Sequence, residues 1–488
     1  MPTLQDILYK APMEAIQGDL SLEIEDFVFD SRQVGSGMLY IARRGVSADG
    51  HAYIPQAVNA GAIAVVCEEM PAEPSPEITW VQVSNSDAAL AVIAANFYGN
   101  PADEMEIVGV TGTNGKTTIS TLLFELFSEM GCKCGLFSTV LVRIGEEEEP
   151  ATHTTPDAKA LHQIFRRMVD AGCTHCFMEV SSHALVQGRV KGITFAGGIF
   201  TNLTHDHLDY HGTFKAYIEA KKLLFDGLPA NAFALTNVDD KNGNVMLQNT
   251  AARKLSYSLK RMADYKGRVV ENTLEGLQLE VNGMDAWFRM VGSFNAYNLL
   301  AVFGTAAEMG LDQEESLLAM SQIQGVNGRF ETVRSQDQRF SAIVDYAHTP
   351  DALKNVLQTI RDVQDGAGRL ITVVGCGGDR DKTKRPEMAK IATQFSDKVV
   401  LTSDNPRSEE PASILDDMYA GVPVTARRKV MRNSDRREAI MMACQLAENN
   451  DIILVAGKGH ETYQEIKGIK HPFDDRQILK ETFKTMEH

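Results

Sequence analysis

No run of apolar residues in this 488-residue chain approaches the roughly 20 needed to cross a bilayer as a helix, so no membrane insertion is expected. Residues 1–16 carry acidic side chains and lack a signal-peptide pattern, which points to a protein that stays in the cytoplasm. Cysteine is sparse: seven residues, an odd number scattered along the chain, read as reduced thiols and not as a disulfide framework. Cys173 and Cys176 have CxxC spacing, but they lie in an apolar run, 173–180, that reads as a strand. No second such pair exists, so zinc is not expected. Positive charge is in deficit, with 48 Lys and Arg against 65 Asp and Glu and a net charge of -17. That balance disfavours a nucleic-acid partner. It also means that an anionic ligand must be held by local cations and metal against a repelling global field. There is no internal repeat of short period, and the one charge run, 146–149, reads as a solvated loop tip.

What is present is an ordinary globular composition, 44% hydrophobic and 23% charged, in a chain too long for one core. Residues 1–100 contain short apolar runs at 38–42 and 62–67. From 101 to 331, strand-like runs (107–110, 135–139, 177–180, 198–201, 233–237) alternate with helix-like ones, which predicts a largely parallel sheet covered by helices. An antiparallel insert, 277–281 and 286–290, is joined through Asn282-Gly283, a strong hairpin signal. From 332 to 488 the alternation restarts, with strands at 340–345, 370–375, 398–401 and 451–456, predicting a second, doubly wound sheet. The fold class is therefore α/β in three domains: 1–100, 101–331 and 332–488.

The most informative stretch is Gly112-Thr113-Asn114-Gly115-Lys116-Thr117-Thr118, between a predicted strand and a predicted helix. A glycine turn there frees backbone N–H groups to surround phosphates where the helix dipole favours negative charge. Lys116 is placed to reach the terminal phosphates, and the Thr117 hydroxyl to sit where Mg²⁺ binds. The general P-loop pattern wants a glycine at position 110, which is valine. The strand–turn–helix setting nevertheless supports nucleoside triphosphate binding.

A second region places Glu179 at the end of a buried strand, followed by Val180-Ser181-Ser182-His183. A loop dense in metal-ligating groups, Thr201 through His205-Asp206-His207-Leu208-Asp209-Tyr210-His211, comes next. Ligands of open α/β sheets bind beyond the carboxyl ends of strands, so Glu179 and His207 should meet whatever the glycine loop holds. The run misses the HxHxDH signature of dinuclear zinc hydrolases by one residue, Tyr210. Such an enzyme also has no use for a phosphate loop.

In this order, the Gly112–Thr118 loop, Glu179 to His183, His207-Leu208-Asp209-Tyr210-His211 and Ala220-Lys221-Lys222-Leu223-Leu224-Phe225 resemble the Mur ligases. The resemblance continues through Gly292 to Asn298, Gly328-Arg329-Phe330-Glu331 and Asp345-Tyr346-Ala347-His348-Thr349-Pro350-Asp351, covering all three predicted domains. The phosphate loop of that family also lacks the early glycine. The resemblance implies a central P-loop ATPase domain, a Rossmann-like C-terminal domain and a smaller α/β N-terminal domain. It implies an ATP-dependent, ADP-forming amide ligase of peptidoglycan biosynthesis, working through an acyl phosphate. Asp404-Asn405-Pro406-Arg407, with His153-Thr154-Thr155-Pro156, Gln187-Gly188-Arg189, the run Gly375 to Lys382 and Gly457 to Glu461, is similar to members that add meso-diaminopimelate to UDP-N-acetylmuramoyl-L-alanyl-D-glutamate. An L-lysine-adding member, a folate polyglutamating ligase and a non-catalytic ATP-binding switch remain as alternatives.

By the same resemblance, Thr117 and Glu179 serve one Mg²⁺, His207 helps hold a second, and Lys221, carbamylated by CO₂, is an anionic metal ligand. Lys222 would point off the helical face that Lys221 occupies. Asn295 would face adenine, with Arg329 and Asp345 near the phosphates and ribose, closing the ATP site between the central and C-terminal domains. Phe29, Ser31, Ser47 and Ala48 would hold the uridine nucleotide, with Val46 and His153 at positions where relatives vary. Thr154, Thr155, Ser181, Gln187 and Arg189 would hold the muramoyl dipeptide. Arg380, Asp404, Asn405, Pro406, Arg407, Gly457 and Glu461 would form the amino-acid pocket.

Overall fold

The computed structural model describes residues 1–488 except 46, 47, 152, 153, 205, 336–339, 365, 367, 487 and 488, and leaves the side chains of Leu208 and Asp209 undescribed. Three sheets organise the chain. The first has strands β1 (Met13–Gln17), β2 (Phe27–Val28), β3 (Met38–Ile41), β4 (Ala62–Cys67) and β5 (Thr79–Val83), in the order β1-β5-β4-β3-β2. The parallel strands β3, β4 and β5 are short β-branched or aromatic runs buried on both faces.

The second sheet contains β6 (Glu106–Thr111), β7 (Cys134–Phe137), β8 (Leu141–Ile144), β9 (Glu147–Pro150), β10 (His175–Glu179), β11 (Gly197–Phe200), β12 (Phe233–Asn237), β13 (Arg253–Ser258), β14 (Tyr265–Asn272), β15 (Leu277–Val281) and β16 (Met284–Phe288). Its order is β16-β15-β14-β13-β12-β11-β6-β10-β7-β8-β9, parallel from β14 to β7 and antiparallel at both edges. From β6 the chain crosses to β7 and β10 on one side and then to β11 on the other. The loop after β6 therefore opens at the switch point, where crevices form in such sheets. The helix Lys116–Glu129 that follows buries Ile119, Leu122, Leu123, Leu126 and Phe127 in a core shared with β6, β10 and the helix Ser293–Glu308.

Two expectations are corrected here. Residues 146–149 are not a loop tip: 147–149 lie in β9, an exposed edge strand paired with β8 through the turn at Gly145, and Glu149 meets Arg167 at 2.6 Å. Charged side chains on an edge strand discourage pairing with another chain. The 277–290 hairpin is no separate insert but the edge of the central sheet. Its second strand starts at Met284, because the Asn282-Gly283 turn, both residues at positive φ, returns the chain at once.

The third sheet contains β17 (Glu331–Arg334), β18 (Ser341–Asp345), β19 (Leu370–Cys376), β20 (Lys398–Ser403), β21 (Val430–Arg432) and β22 (Ile452–Ala456), in the order β17-β18-β22-β19-β20-β21. All neighbours are parallel except β17 and β18. Asp345, Gly377, Asp404 and Gly457 therefore leave the same edge of this sheet. A hairpin, β23 (Tyr463–Ile466) and β24 (Ile469–Pro472), follows.

Candidate active site

The loop after β6 is fitted to its surroundings. A β-carbon on Gly112 would lie 1.8 Å from Thr201 Oγ1, and one on Gly115, at φ +89°, would lie 2.6 Å from Asn298 Oδ1. The exit of β11 braces the loop: Thr113 N donates to Asn202 O (2.8 Å), Asn114 N to Asn202 Oδ1 (3.0 Å) and Thr201 Oγ1 to Asn114 O (2.6 Å). Thr117 and Thr118 are buried in the first turn of the helix, whose N–H groups open onto the loop. The Lys116 ammonium donates to Gly112 O (3.0 Å) and Thr113 O (2.8 Å). Burial lowers its pKa, opposed by Glu179 and Asp206.

Lys221, on the helix Phe214–Asp226, is 1% exposed. Its Nζ donates to the same Gly112 carbonyl (2.7 Å) and stands 4.7 Å from the Tyr217 ring centre. Burial, and then the charge of Lys116, pull its pKa well below the usual lysine range, which favours the neutral amine. Lys222 does point away from Lys221, and is itself buried, in an ion pair with the exposed Asp226.

Glu179 closes β10 and is 1% exposed. Its carboxylate accepts from Thr139 N (2.6 Å) and Thr139 Oγ1 (3.0 Å). Thr154 Oγ1 lies 3.2 Å from the same Thr139 hydroxyl, whose single proton goes to Glu179, and Thr155 Oγ1 donates to Glu179 O (2.9 Å). Ser181 caps the helix Ser182–Val186. Arg189 donates to Gln187 Oε1 (2.9 and 2.6 Å) and Thr155 O (2.7 Å), and Gln187 Nε2 to Tyr210 OH (3.1 Å). The five residues expected at the muramoyl dipeptide thus share one network beside Glu179. His153 and His205 lie outside the described residues.

His207 is held at φ +54°. Although its side chain is half exposed, desolvation by the surrounding protein lowers its pKa against the opposing charge of Asp206, 3.4 Å away, which favours the neutral imidazole that metals bind. Among the described residues no three His, Cys, Asp or Glu side chains converge as a ready-made metal cage. The donors here are instead hydroxyls, one carboxylate and one imidazole, and Thr111 Oγ1 and Thr204 Oγ1 are buried without partners. Such a set fits Mg²⁺, which takes few protein ligands and completes its shell with phosphate and water.

Just before β17, Arg329 Nη2 donates to Thr117 Oγ1 (2.9 Å), and its guanidinium lies 4.6 Å from the Tyr346 ring centre. Arg329 Nε is buried and unpartnered. Asn114 Nδ2 donates to Asp351 Oδ2 (3.2 Å), a second bond across the cleft. Asn295 is engaged internally, donating to Val291 O (2.8 Å) and accepting from Asn298 Nδ2 (2.9 Å). Asn298, which touches Gly115, was not among the expected residues. Its signal was a second asparagine one helical turn after the first.

Asp345 accepts from Phe330 N (2.7 Å), and burial raises its pKa to about 6 despite Arg329. A carboxyl whose pKa rises on folding loses stability as pH climbs from its ordinary value of 3.8 to about 6. Asp345→Asn removes that loss. The stability of the variant relative to the natural protein should therefore rise by about 2 kcal/mol between pH 4 and pH 7. Unfolding of both proteins at the two pH values measures it, and a pH-independent difference would contradict the assignment.

At the far side of the cleft, burial pushes the Asp404 pKa up, but Lys458 and Arg436 outweigh it and hold the group below its ordinary value. A β-carbon on Gly457 (φ +119°) would lie 2.5 Å from Asp404 Oδ2. Asn405 Nδ2 donates to Glu461 Oε2 (2.8 Å), while its Oδ1 accepts from Lys458 Nζ (3.1 Å) and Glu465 N (2.9 Å). Pro406 packs its carbonyl against Gly378, where a β-carbon would come within 1.9 Å. Arg407, at φ +51°, donates from Nη1 to Gly378 O (2.7 Å), with Nε 3.4 Å from Glu465. Arg380 is exposed at the rim. Lys458, fully buried between Asn405 and Glu461, escaped the sequence reading.

On the N-terminal sheet, Ser31 Oγ donates to Gln56 Oε1 (3.1 Å) and Phe29 lies 5.0 Å from the Arg43 guanidinium. Ala48 O accepts from Gly45 N (2.9 Å). Val46 and Ser47 lie outside the described residues. No helix among the described residues is long and apolar enough to cross a membrane.

Three family models match the chain: the Mur ligase family catalytic domain at residues 24–98, the Mur ligase middle domain at 110–306 and the Mur ligase glutamate ligase domain at 328–459. The chain is 57% identical over 484 residues to the UDP-N-acetylmuramoyl-L-alanyl-D-glutamate--2,6-diaminopimelate ligase of Cytophaga hutchinsonii, covering 99% of each. It is 54% identical over 480 residues to the ligase of the same name from Bacteroides fragilis, covering 98% of this chain and 99% of that one. A solved structure of a ligase of that name superposes with a TM-score of 0.71 at 32% identity, covering 100% of this chain and 99% of the other. With a phosphate loop, a buried lysine and glutamate and an arginine-bearing pocket in one cleft, and with these relatives along its whole length, the chain belongs to the Mur ligase family.

Proposed function

We propose that this protein is the ADP-forming ligase that joins meso-diaminopimelate to UDP-N-acetylmuramoyl-L-alanyl-D-glutamate in peptidoglycan biosynthesis. The observation that carries the reading is Arg407, three residues beyond Asp404 at the end of β20, on the sheet edge whose β18 exit reaches the phosphate loop through Asp351 and Asn114. In this reading residues 1–100 bind the uridine nucleotide through Phe29, Ser31, Ser47 and Ala48, residues 101–331 bind ATP, and residues 332–488 bind the amino acid. Asn295, held by Asn298, meets the nucleotide. The seven cysteines, free in the structure, support a reducing compartment, the cytoplasm.

The reaction brings a carboxylate to a triphosphate. At about 4 Å two unit charges repel by ~4 kcal/mol at an effective dielectric constant of roughly 20. Lys116, Arg329 and the loop N–H groups offset that repulsion and hold the γ-phosphoryl group in line with the D-glutamyl carboxylate. The carboxylate oxygen attacks phosphorus, the bond to the β-phosphate breaks and ADP leaves. The amine nitrogen then attacks the acyl carbon, inorganic phosphate leaves with the bonding pair, and the amine loses its proton. Thr117, Glu179, His207 and a carbamate formed from the neutral Lys221 amine and CO₂ would hold Mg²⁺. The ion, when bound, supplies charge stabilisation at the phosphate oxygens.

Phosphate release tests the reading. It should require both the UDP-muramoyl dipeptide and meso-diaminopimelate. Release with a folate and glutamate instead would assign a folate polyglutamating ligase, and nucleotide binding without any turnover would assign a switch.

A further inference from the structure

Arg436 and Asp475 form an ion pair whose side chains are both 0% exposed, with Nε to Oδ1 at 2.9 Å and Nη2 to Oδ2 at 2.7 Å. The pair sits where charge is costly. Besides the desolvation of two ions, Arg436 opens the helix Arg436–Leu446, an end that disfavours a cation. A well-packed apolar pair of similar volume often serves stability as well or better. Something other than stability is therefore needed to account for it.

Its remaining bonds supply that account. Arg436 Nη1 donates to Ser403 O (3.3 Å) and Nη2 to Ala456 O (3.1 Å). Ser403 is the last residue of β20 and Ala456 the last of β22, and the next residues are Asp404 and Gly457. β19 lies between these strands in the sheet, so no backbone ladder joins β20 to β22. The guanidinium does. Asp475, the first residue of the helix Asp475–Met486, grips the opposite edge of the fork and fixes its plane.

The charges around this floor are ordered in the same way. Three carboxylates, Asp404, Glu461 and Asp475, face two buried cations, Lys458 and Arg436. Asp475 is taken by Arg436, and Glu461 by Lys458 at 2.8 Å. Asp404 is left ionised, one oxygen on its neighbour's N–H (Asn405 N, 2.7 Å) and the other beside Gly457.

We propose that Arg436, fixed by Asp475, is a positioning residue for the amino-acid pocket: it sets the spacing of Asp404 and Gly457 by binding the strand ends that carry them. The inference rests on the functional reading above only for which amino acid fills that pocket. Its test is steady-state kinetics on Arg436→Lys, Arg436→Met and the double variant Arg436→Met/Asp475→Leu. The double variant removes both charges together, so that it folds even where the single one, leaving Asp475 buried and unpaired, does not. The expected result is a KM for meso-diaminopimelate raised by about tenfold or more, with KM for ATP and for the UDP-dipeptide within about twofold of the natural protein. Arg436→Lys, which keeps the charge and part of the bonding, should fall between. An unchanged amino-acid KM in the folded double variant would overturn the proposal, as would an equal rise in all three KM values. Should the natural protein accept only L-lysine, the functional reading fails, and the same three KM ratios read with lysine still decide this inference.

Discussion

Lys221→Ala should lower kcat by about 10³-fold, the scale on which removal of a preorganised charge at a reacting centre acts. The expectation follows from the position of the side chain: 1% exposed, bound to Gly112 O of the phosphate loop and beside a second, half-buried lysine, Lys116. A permanent ammonium there would repel both Lys116 and a metal ion, whereas an anion derived from it would offset both. High bicarbonate should not rescue the alanine variant, because the amine that adds CO₂ is gone. Short carboxylic acids able to enter the vacated space should rescue it in part. Lys222→Ala, which breaks the pair with Asp226 on the other side of the same helix, should leave kcat within a few-fold and act on stability instead. Full activity of folded Lys221→Ala would end the carbamate reading.

The contrast between those two lysines shows what a sequence discloses and what it withholds. The phosphate loop was legible because its glycines, lysine and threonine are each required by local geometry and charge, between a strand and a helix of clear period. The parallel sheets were legible for the same reason: β10, β11, β12, β18, β19, β20 and β22 are apolar runs with turn residues at their ends. The burial of Lys222 was not, because a lysine beside a lysine on a helix reads as solvent-facing until Asp226 is placed against it. Nor was β9, four residues with no apolar alternation, whose conformation comes from the turn at Gly145 and the register with β8.

Arg436 is the extreme case. In sequence it is one of two consecutive arginines at a helix start, and Asp475, which gives it a role, lies 39 residues away. Arg436, Lys458 and Asn298 all act by holding something else, the strand ends of the pocket floor, Asn405 with Glu461, and Asn295. Residues of that kind carry no motif of their own. Their types are dictated by distances that exist only after folding. The residues that would touch substrate, by contrast, sit at strand ends in short runs rich in glycine, proline and polar groups, and that pattern is readable.

The natural protein should prefer meso-diaminopimelate over L-lysine by about 10⁴-fold in kcat/KM, the range reached by sites built to bind a polar group that the rival lacks. The two amino acids differ by the distal carboxylate, and Arg407 is the group placed to receive it. Its guanidinium is only partly engaged, with Nη1 on Gly378 O and Nε 3.4 Å from Glu465, so donors remain for a carboxylate bound through two parallel hydrogen bonds. The backbone holds it in place: φ is +51°, its N–H donates to Glu465 O at 3.0 Å, and its carbonyl accepts from Lys467 N at 2.7 Å. Pro406 before it is locked against Gly378. Lysine in this pocket would leave the remaining guanidinium donors desolvated with no substrate carboxylate to meet them, a loss on the transition state as well as the ground state. Arg407→Ala should therefore cut kcat/KM for diaminopimelate by about 10²- to 10³-fold, while the weak lysine reaction changes far less. Arg407→Lys should not restore the preference, because an ammonium offers a point charge in place of the planar fork. Equal turnover of lysine and diaminopimelate by the natural protein would refute the assignment of the pocket, and a preference that survives Arg407→Ala would move its origin to other residues around Asp404 and Glu461.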